Sequence, residues 1–306
     1  MRLSVVIPVY GVEAFLRKCV DSVVAQAVDD IEIILVDDCS PDACGEICDE
    51  LAAADSRIRV VHRRENGGLS AARNSGIAVA TGGLLTFVDS DDFLAADTYR
   101  PCLRMLAATG ADCVEYPVVK RYGSASPQLY NPAACGDRVE TLDDWFRRHG
   151  YIHSYAWNKI YRRQLWGDTR FPEGRYFEDL LTVPYVLSRA RGIAVCGNGL
   201  YYYCSLNAGA ITQNPSERNQ RDLLDANFRL FAFFQLECGY DDSMMYDYFM
   251  ELLNRKIGLL RAGGDAALPD YVVRWRYALR RQPVRQRLKC LLWLTLGERR
   301  FFKLFR

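Results

Sequence analysis

Asp89, Asp91 and Asp92 stand within four positions of one another, directly after the apolar run Leu84-Leu85-Thr86-Phe87-Val88. Neighbouring carboxylates repel, so such a cluster calls for a cation or a special solvent environment. Aspartate oxygens suit hard divalent ions such as magnesium or manganese. The run before them contains β-branched residues and predicts a buried strand. In an open α/β sheet, ligands bind at the carboxyl ends of strands. The same residues also fit an acidic turn in which Asp92 or Ser90 caps the next helix. A second acidic pair, Asp37-Asp38, closes the apolar run over 31–36, and Pro8-Val9-Tyr10 closes a third over Leu3–Val9.

The elements that must place these groups alternate regularly. Leu3–Val9 predicts a strand. Residues 12–28 predict a helix, with Phe15, Leu16, Cys19, Val20, Val23 and Val24 at helical spacing. A strand over 31–36, a helix over Cys44–Ala54, a strand over Ile58–His62, a helix over 69–80 and a strand over 84–88 follow. This order argues for an α/β fold, a mainly parallel sheet with helices on both faces. The three polar strand ends then share one edge and converge on one cleft. After about residue 110 the alternation fades. Residues 111–116 and 200–204 read as strands, 123–136 as a loop, Thr141 as a helix start, and 176–189 as an amphipathic helix opening near Glu178-Asp179. From Pro215 the pattern is helical, over 217–237, Asp242–Arg261 and 270–296, with a break available at Pro283.

The chain has 306 residues, half of them hydrophobic, enough for one large domain or two small ones. A net charge of +1 offers no global attraction to nucleic acid. That average hides an asymmetry: residues 270–306 hold eleven Lys/Arg against two Asp/Glu, net +9, which leaves −8 on the rest. Eleven scattered cysteines form no C-x-x-C pair. Cys44 and Cys48 would share a helix face, but with only His62, His149 and His153 in the chain nothing completes a zinc set. The start Met-Arg-Leu-Ser leads straight into a strand and reads as no signal peptide, with reduced thiols in a cytoplasmic setting. No apolar run reaches the ~18 residues of a membrane span. G-x-G-x-x-G after the first strand, G-x-x-x-x-G-K-[ST] and G-x-S-x-G are all missing, which sets aside dinucleotide, P-loop and nucleophile-elbow chemistry.

Four segments carry a closer signal: Val5-Val6-Ile7-Pro8-Val9-Tyr10, Val36-Asp37-Asp38-Cys39-Ser40-Pro41-Asp42, Glu65-Asn66-Gly67-Gly68-Leu69-Ser70-Ala71-Ala72-Arg73-Asn74 and Phe87-Val88-Asp89-Ser90-Asp91-Asp92. In this order and spacing they resemble the family 2 glycosyltransferases of the GT-A fold. The likeness is specific over residues 1–100. It continues through Trp157-Asn158-Lys159-Ile160-Tyr161-Arg162-Arg163 and the stretch from Phe171 to Asp179, and fades after about residue 215. The reading divides the chain into a GT-A domain over 1–214, with a nucleotide-sugar half to about 110 and an acceptor half beyond it, and a helical C-terminal region over 215–306.

The resemblance implies a metal-dependent, inverting enzyme that uses a nucleotide-sugar donor, usually a uridine diphosphate sugar, in bacterial cell-surface polysaccharide synthesis. Asp38, with Asp37 beside it, would accept the uracil N–H. Pro8, Val9 and Tyr10 would line base and ribose, and Asn66, Gly67, Gly68 and Arg73 the opposite wall, with Asp89 and Ser90 also at the donor. Asp91 would be the first ligand of Mg2+ or Mn2+, with Asp89 near the ribose or the ion. Asp179, or Glu178 in its place, would be the base that takes the acceptor's proton. The chain departs from the family's usual pattern at Cys204, where many relatives carry Arg, and at Ala210, where many carry Ser. A nucleotidyltransferase and a non-catalytic GT-A-like partner protein are the competing classes. The first would want a basic glycine-rich loop after strand one, and the second would not need Asp38, Asp91 and Asp179 intact.

The tail has its own pattern. Arg285, Arg287, Lys289, Arg299, Arg300, Lys303 and Arg306 flank Leu288, Leu291, Leu292, Trp293, Leu294 and Leu296, and Phe301, Phe302, Leu304 and Phe305 follow. Basic residues beside Trp, Leu and Phe suit an interfacial helix at the inner face of a membrane, where a lipid-linked saccharide acceptor would be found. The same residues also suit packing on the catalytic domain or a dimer contact.

Overall fold

A computed structural model describes residues 1–207, 216–261, 263–265, 267–268, 271, 273–278 and 283–305. The chain divides into two compact units, Met1–Gln213 and Asn214–Arg306.

The first unit is built on a sheet of eight strands. β1 (Leu3–Val9), β2 (Ile31–Asp37), β3 (Ile58–His62) and β4 (Leu84–Phe87) come from its regular part. β6 (Cys113–Glu115), β9 (Arg138–Glu140), β10 (Lys159–Arg162) and β11 (Ile193–Val195) complete it, in the order β3-β2-β1-β4-β10-β6-β11-β9. β3, β2, β1 and β4 are mutually parallel, and β11 is parallel to β6. β10 runs antiparallel to both β4 and β6, and β9 antiparallel to β11. β1 and β2 are buried throughout, which is why they read as nearly continuous apolar runs, interrupted by Ser4 and Glu32, whose side chains satisfy each other at 2.5 Å. α1 (Glu13–Val24), α2 (Cys44–Ala54), α3 (Gly68–Val79) and α4 (Tyr99–Thr109) flank this sheet. α3 lies close on β1 because Gly76 has no side chain: a Cβ there would stand 2.3 Å from Val6 Cγ1.

The second half departs from its sequence pattern in three places. A separate four-stranded sheet, ordered β5-β12-β7-β8, joins β5 (Phe93–Leu94), β7 (Val118–Tyr122), β8 (Gln128–Tyr130) and β12 (Tyr201–Cys204). β8 lies inside the segment read as a loop, its residues pairing with β7. The helix expected over 176–189 is only α6 (Val183–Leu187). Pro184 is tolerated only in a helix's first turn, so the helix begins beside it rather than at Glu178. Thr141 does start a helix, α5 (Leu142–Arg147), through a capping box with Asp144.

The second unit is helical. α7 (Glu217–Ala232) runs into a π-helical turn (Phe233–Glu237), and α8 (Asp242–Arg261), α9 (Trp275–Ala278) and α10 (Val284–Lys303) follow. α10 starts after Pro283 and runs past Leu296, with non-helical backbone at Gly297. Its apolar residues split into two faces. Cys290, Phe301 and Phe302 are buried, and Trp293 packs edge-on against Phe249 of α8 and against both phenylalanines. Val284, Leu288 and Leu292 are exposed. Among the described residues the tail therefore combines a packed face with an exposed one. No helix among the described residues is long and apolar enough to cross a membrane.

Candidate active site

The ends of β1, β2 and β4 meet on one edge of the large sheet, because the three strands are adjacent and parallel. The backbone N–H of Asp38 donates to the Val9 carbonyl at 2.9 Å and ties the first two ends together. Asp38 is 2% exposed, and its two oxygens accept the Gly67 and Gly68 N–H groups at 3.1 and 2.7 Å, with Arg63 beside it as an ion pair at 2.6 Å. Gly68 sits at φ +80°, a left-handed conformation that favours glycine and aims its N–H at the carboxylate. The Asn66 side chain accepts from the same N–H. Asp37 points elsewhere: it accepts from Ser40 N–H at 3.0 Å and meets His62 Nδ1 at 2.9 Å. Burial would raise its pKa, but the bonds from His62 and Ser40 outweigh that and hold it below the usual carboxylate range. Pro8 and Val9 are buried in β1, and the Tyr10 ring is half exposed at the mouth.

Arg73 is the hub of the site. It lies on α3, is 1% exposed, and donates to Glu178 Oε1 at 2.6 Å, Asp179 Oδ1 at 2.9 Å and Asp89 Oδ1 at 2.7 Å. Carboxylates 105 and 106 residues away in the chain are thus joined to the strand-end aspartate by one guanidinium. Phe177 has φ +60°, a left-handed conformation that costs a non-glycine residue about 1–2 kcal/mol. This bend turns both acidic neighbours onto Arg73 instead of starting a helix. Burial raises the Glu178 pKa to about 7, with the Asp179 charge adding to it and Arg73 opposing. Burial also raises Asp179, against Arg73 and the Ala156 N–H that reaches Asp179 Oδ2 at 3.3 Å. The side chain of Asp179 is 19% exposed and that of Glu178 9%, so Asp179 is the more open of the two.

The three strand-end aspartates have separate surroundings. Ser90 is buried among them. Asp91 accepts from the Asn207 amide at 2.8 Å, and burial followed by the Asp89 charge raises its pKa against that bond. Asp92 is buried, and accepts from the Tyr201 hydroxyl and the Cys204 N–H, both at 2.7 Å. The next helix begins only at Tyr99, so neither Asp92 nor Ser90 caps it. Tyr201 also accepts the Asp89 N–H at 3.1 Å, which makes it the joint between the two sheets at the site. Tyr201 and Asn207 fall in the stretch from Tyr201 to Thr212 that resembles the family's segment after the base, but the sequence assigns neither a role, and Ala156 carries no signal of its own. Cys204 supplies a backbone donor to Asp92, and Ala210 lies outside the described residues.

Magnesium and manganese are usually held by one or two carboxylates together with substrate phosphates. Asp91 and Asp89 fit that donor set, hard oxygens whose neighbouring carboxylates leave a local excess of negative charge. Among the described residues, no three acidic, His or Cys groups converge to hold an ion unaided. All eleven cysteines are free thiols, eight of them buried.

Residues 4–174 match the profile of the family described as Glycosyl transferase family 2. The chain is 31% identical to an uncharacterized glycosyltransferase, EpsJ of Bacillus subtilis, over 87% of this chain and 78% of that protein. In three dimensions it resembles S. aureus TarS residues 1–349 in complex with UDP-GlcNAc, at a TM-score of 0.69 and 22% identity, over 95% of this chain and 80% of that one. It also resembles the mannosyltransferase PcManGT of Pyrobaculum calidifontis in complex with GDP-Man and Mn2+, at 0.57 and 16%, over 86% of this chain and 74% of that one. These likenesses carry the fold, and the profile match spans more than half of the chain. The protein is a family 2 glycosyltransferase of the GT-A fold.

Proposed function

We propose that this enzyme moves a sugar from a uridine diphosphate sugar to an acceptor hydroxyl with inversion, in the synthesis of a cell-surface polysaccharide. The observation that carries this reading is the Arg73 hub, where the strand-end aspartate Asp89 and the candidate base Asp179 share one guanidinium. The donor side and the acceptor side of a single displacement must lie this close. TarS with UDP-GlcNAc supports the donor class.

In this reading Asp38 and the backbone of residues 8–10 border the base and ribose, and Asn66, Gly67 and Gly68 stand beside Asp38 rather than across from it, because both glycine N–H groups bond to its carboxylate. Asp179 takes the acceptor's proton as the oxygen attacks the anomeric carbon. The carbon–oxygen bond to the diphosphate breaks on the opposite face, which inverts the configuration. Burial raises the Asp179 pKa towards the working pH, as general base catalysis favours. Asp91 and Asp89 would hold Mg2+ or Mn2+, which neutralises charge on the leaving diphosphate when bound.

A nucleotide-sugar panel, with release of free nucleoside diphosphate as readout, tests the reading. Release from uridine diphosphate sugars is expected. A nucleotidyltransferase would instead release pyrophosphate from a nucleoside triphosphate and a sugar phosphate and leave the panel intact, and a non-catalytic partner would do neither.

The polysaccharide setting draws support from α10. Val284, Leu288 and Leu292 recur every fourth residue on its exposed side, near exposed Arg285 and Arg287, and exposed Arg299, Arg300 and Lys303 follow the break at Gly297. That is the composition of a helix lying on an anionic surface, with each basic residue adding about 1 kcal/mol. Truncation would remove the buried Phe301 and Phe302, so paired Leu288→Ser and Leu292→Ser substitutions are the cleaner test. The full chain should co-sediment with anionic liposomes at low salt and the double variant should not. If neither sediments, α10 is not a membrane contact and the inner-face location fails.

A further inference from the structure

Lys120 is a half-buried cation that the chemistry above does not use. It projects from β7, and its Nζ lies 3.1 Å from His153 Nδ1, 5.2 Å from the Tyr155 ring centre and 5.6 Å from that of Tyr130. Burial lowers its proton affinity, and no carboxylate among the described residues opposes this. Nearby Glu115 is already taken by Arg148, Tyr130 and Trp145. Burial and then the Lys120 charge hold His153 at about 3, so at neutral pH it is uncharged and accepts one N–H of the ammonium. An ammonium has three donors, and among the described residues only one of them finds a hydrogen-bond acceptor.

The position of this cation gives it meaning. Tyr155 stacks on Trp157 at 4.5 Å and 5°, and Trp157 stacks on Tyr201 at 4.2 Å and 20°. Between the first two, Ala156 donates its N–H to Asp179, while Tyr201 holds Asp92 and Asp89. A wall of aromatic rings therefore runs from the carboxylates of the reaction centre to Lys120. Trp157 is buried, whereas Tyr155 and Tyr203 at its margins are partly open. Partly open aromatic rings suit the apolar faces of sugars, and a cation with no counter-charge among the described residues suits an anion.

We propose that Lys120 binds an anionic group, a phosphate or a carboxylate, on the acceptor saccharide, carried by the unit next to the one that bears the reacting hydroxyl. This rests on the transfer reading above, because it takes Asp179 as the acceptor's end of the wall. It adds that the acceptor is charged and that Lys120 selects for the charge.

The test is binding without donor. Neutral disaccharides are compared with the same disaccharides carrying a 6-phosphate or a uronate carboxyl, by calorimetry and saturation-transfer NMR on the full chain. The charged member should bind about tenfold tighter, as a hydrogen-bonded charge pair provides. The advantage should shrink with salt, vanish in Lys120→Gln and survive in Lys120→Arg, which also controls for folding. The phosphate and uronate arms show which anion is preferred. Equal binding of neutral and charged members, no binding by any of them, or an advantage that persists in Lys120→Gln overturns the proposal. Because no donor is present, this result stands apart from nucleoside diphosphate release, whose absence would instead sink the transfer reading.

Discussion

Two groups of carboxylates lie along the same sheet edge and are held in opposite ways. At the end of β2, Asp37 and Asp38 are met by backbone N–H groups, a histidine and Arg63. In that corner the carboxylate oxygens of Asp37 and Asp38 all have protein partners. Around Arg73, by contrast, Asp89, Glu178 and Asp179 share a single guanidinium, and Asp91 and Asp92 stand beside them. There burial pushes Asp91, Asp92, Glu178 and Asp179 all upward. Preorganised recognition uses satisfied groups, whereas proton transfer and charge neutralisation need groups kept out of balance.

The sharpest way to break this contrast is on the unbalanced side. Asp91→Ala should reduce sugar transfer to background with the fold intact by circular dichroism, and a chelator should do the same to the wild type. Near-wild-type activity in either case removes the ion from the proposal. Asp179→Asn should lose about 10²–10⁴-fold in transfer while uridine diphosphate binding by calorimetry barely changes. A loss confined to Glu178→Gln would move the base by one residue, and lost nucleotide binding in Asp179→Asn would make it structural.

Stability measurements sharpen the same comparison. Arg73→Met strands three carboxylates and should cost about 3–5 kcal/mol in chemical denaturation, since breaking a buried ion pair leaves charge uncompensated. A cost near that of an ordinary surface substitution would show that Arg73 is no hub. Glu178 keeps a proton in the folded chain that the unfolded chain has lost. Stability should therefore fall as pH rises from its ordinary 4.5 to about 7. Glu178→Gln should flatten that slope in melting curves, and an unchanged slope assigns it elsewhere. Asp37 has the opposite sign: its contribution is present above its ordinary value of 3.8 and disappears as pH falls through the lowered folded one. His62→Ala should remove only about 0.2–1 kcal/mol of this, because the imidazole is half exposed. A larger loss would mean that the complete corner is also load-sensitive.

The regular half of the molecule was open to reading because its signals are local. A strand buried on both faces is apolar except where its polar groups pair, as Ser4 and Glu32 do, so β1 and β2 announce themselves. Adjacent parallel strands put their carboxyl ends on one edge, so the meeting of Val9, Asp38 and Asp89 followed from the alternation alone. The four motifs that carry the family resemblance all lie in this regular half, within the first hundred residues.

What only the tertiary structure decided depends on contacts between distant segments. Residues 128–130 carry little strand signal of their own and become a strand by pairing with β7. Glu178 and Asp179 look like a helix start until the left-handed Phe177 and Pro184 are seen to leave them in a turn on Arg73. The split of α10 into a packed and an exposed face was decided by Phe249 of α8. Tyr201 and Lys120 gained roles through neighbours remote in the chain, at Asp89, Asp92 and His153. Composition and periodicity report what a residue prefers around it, whereas which charge it ends up facing is settled only when the sheets close on each other.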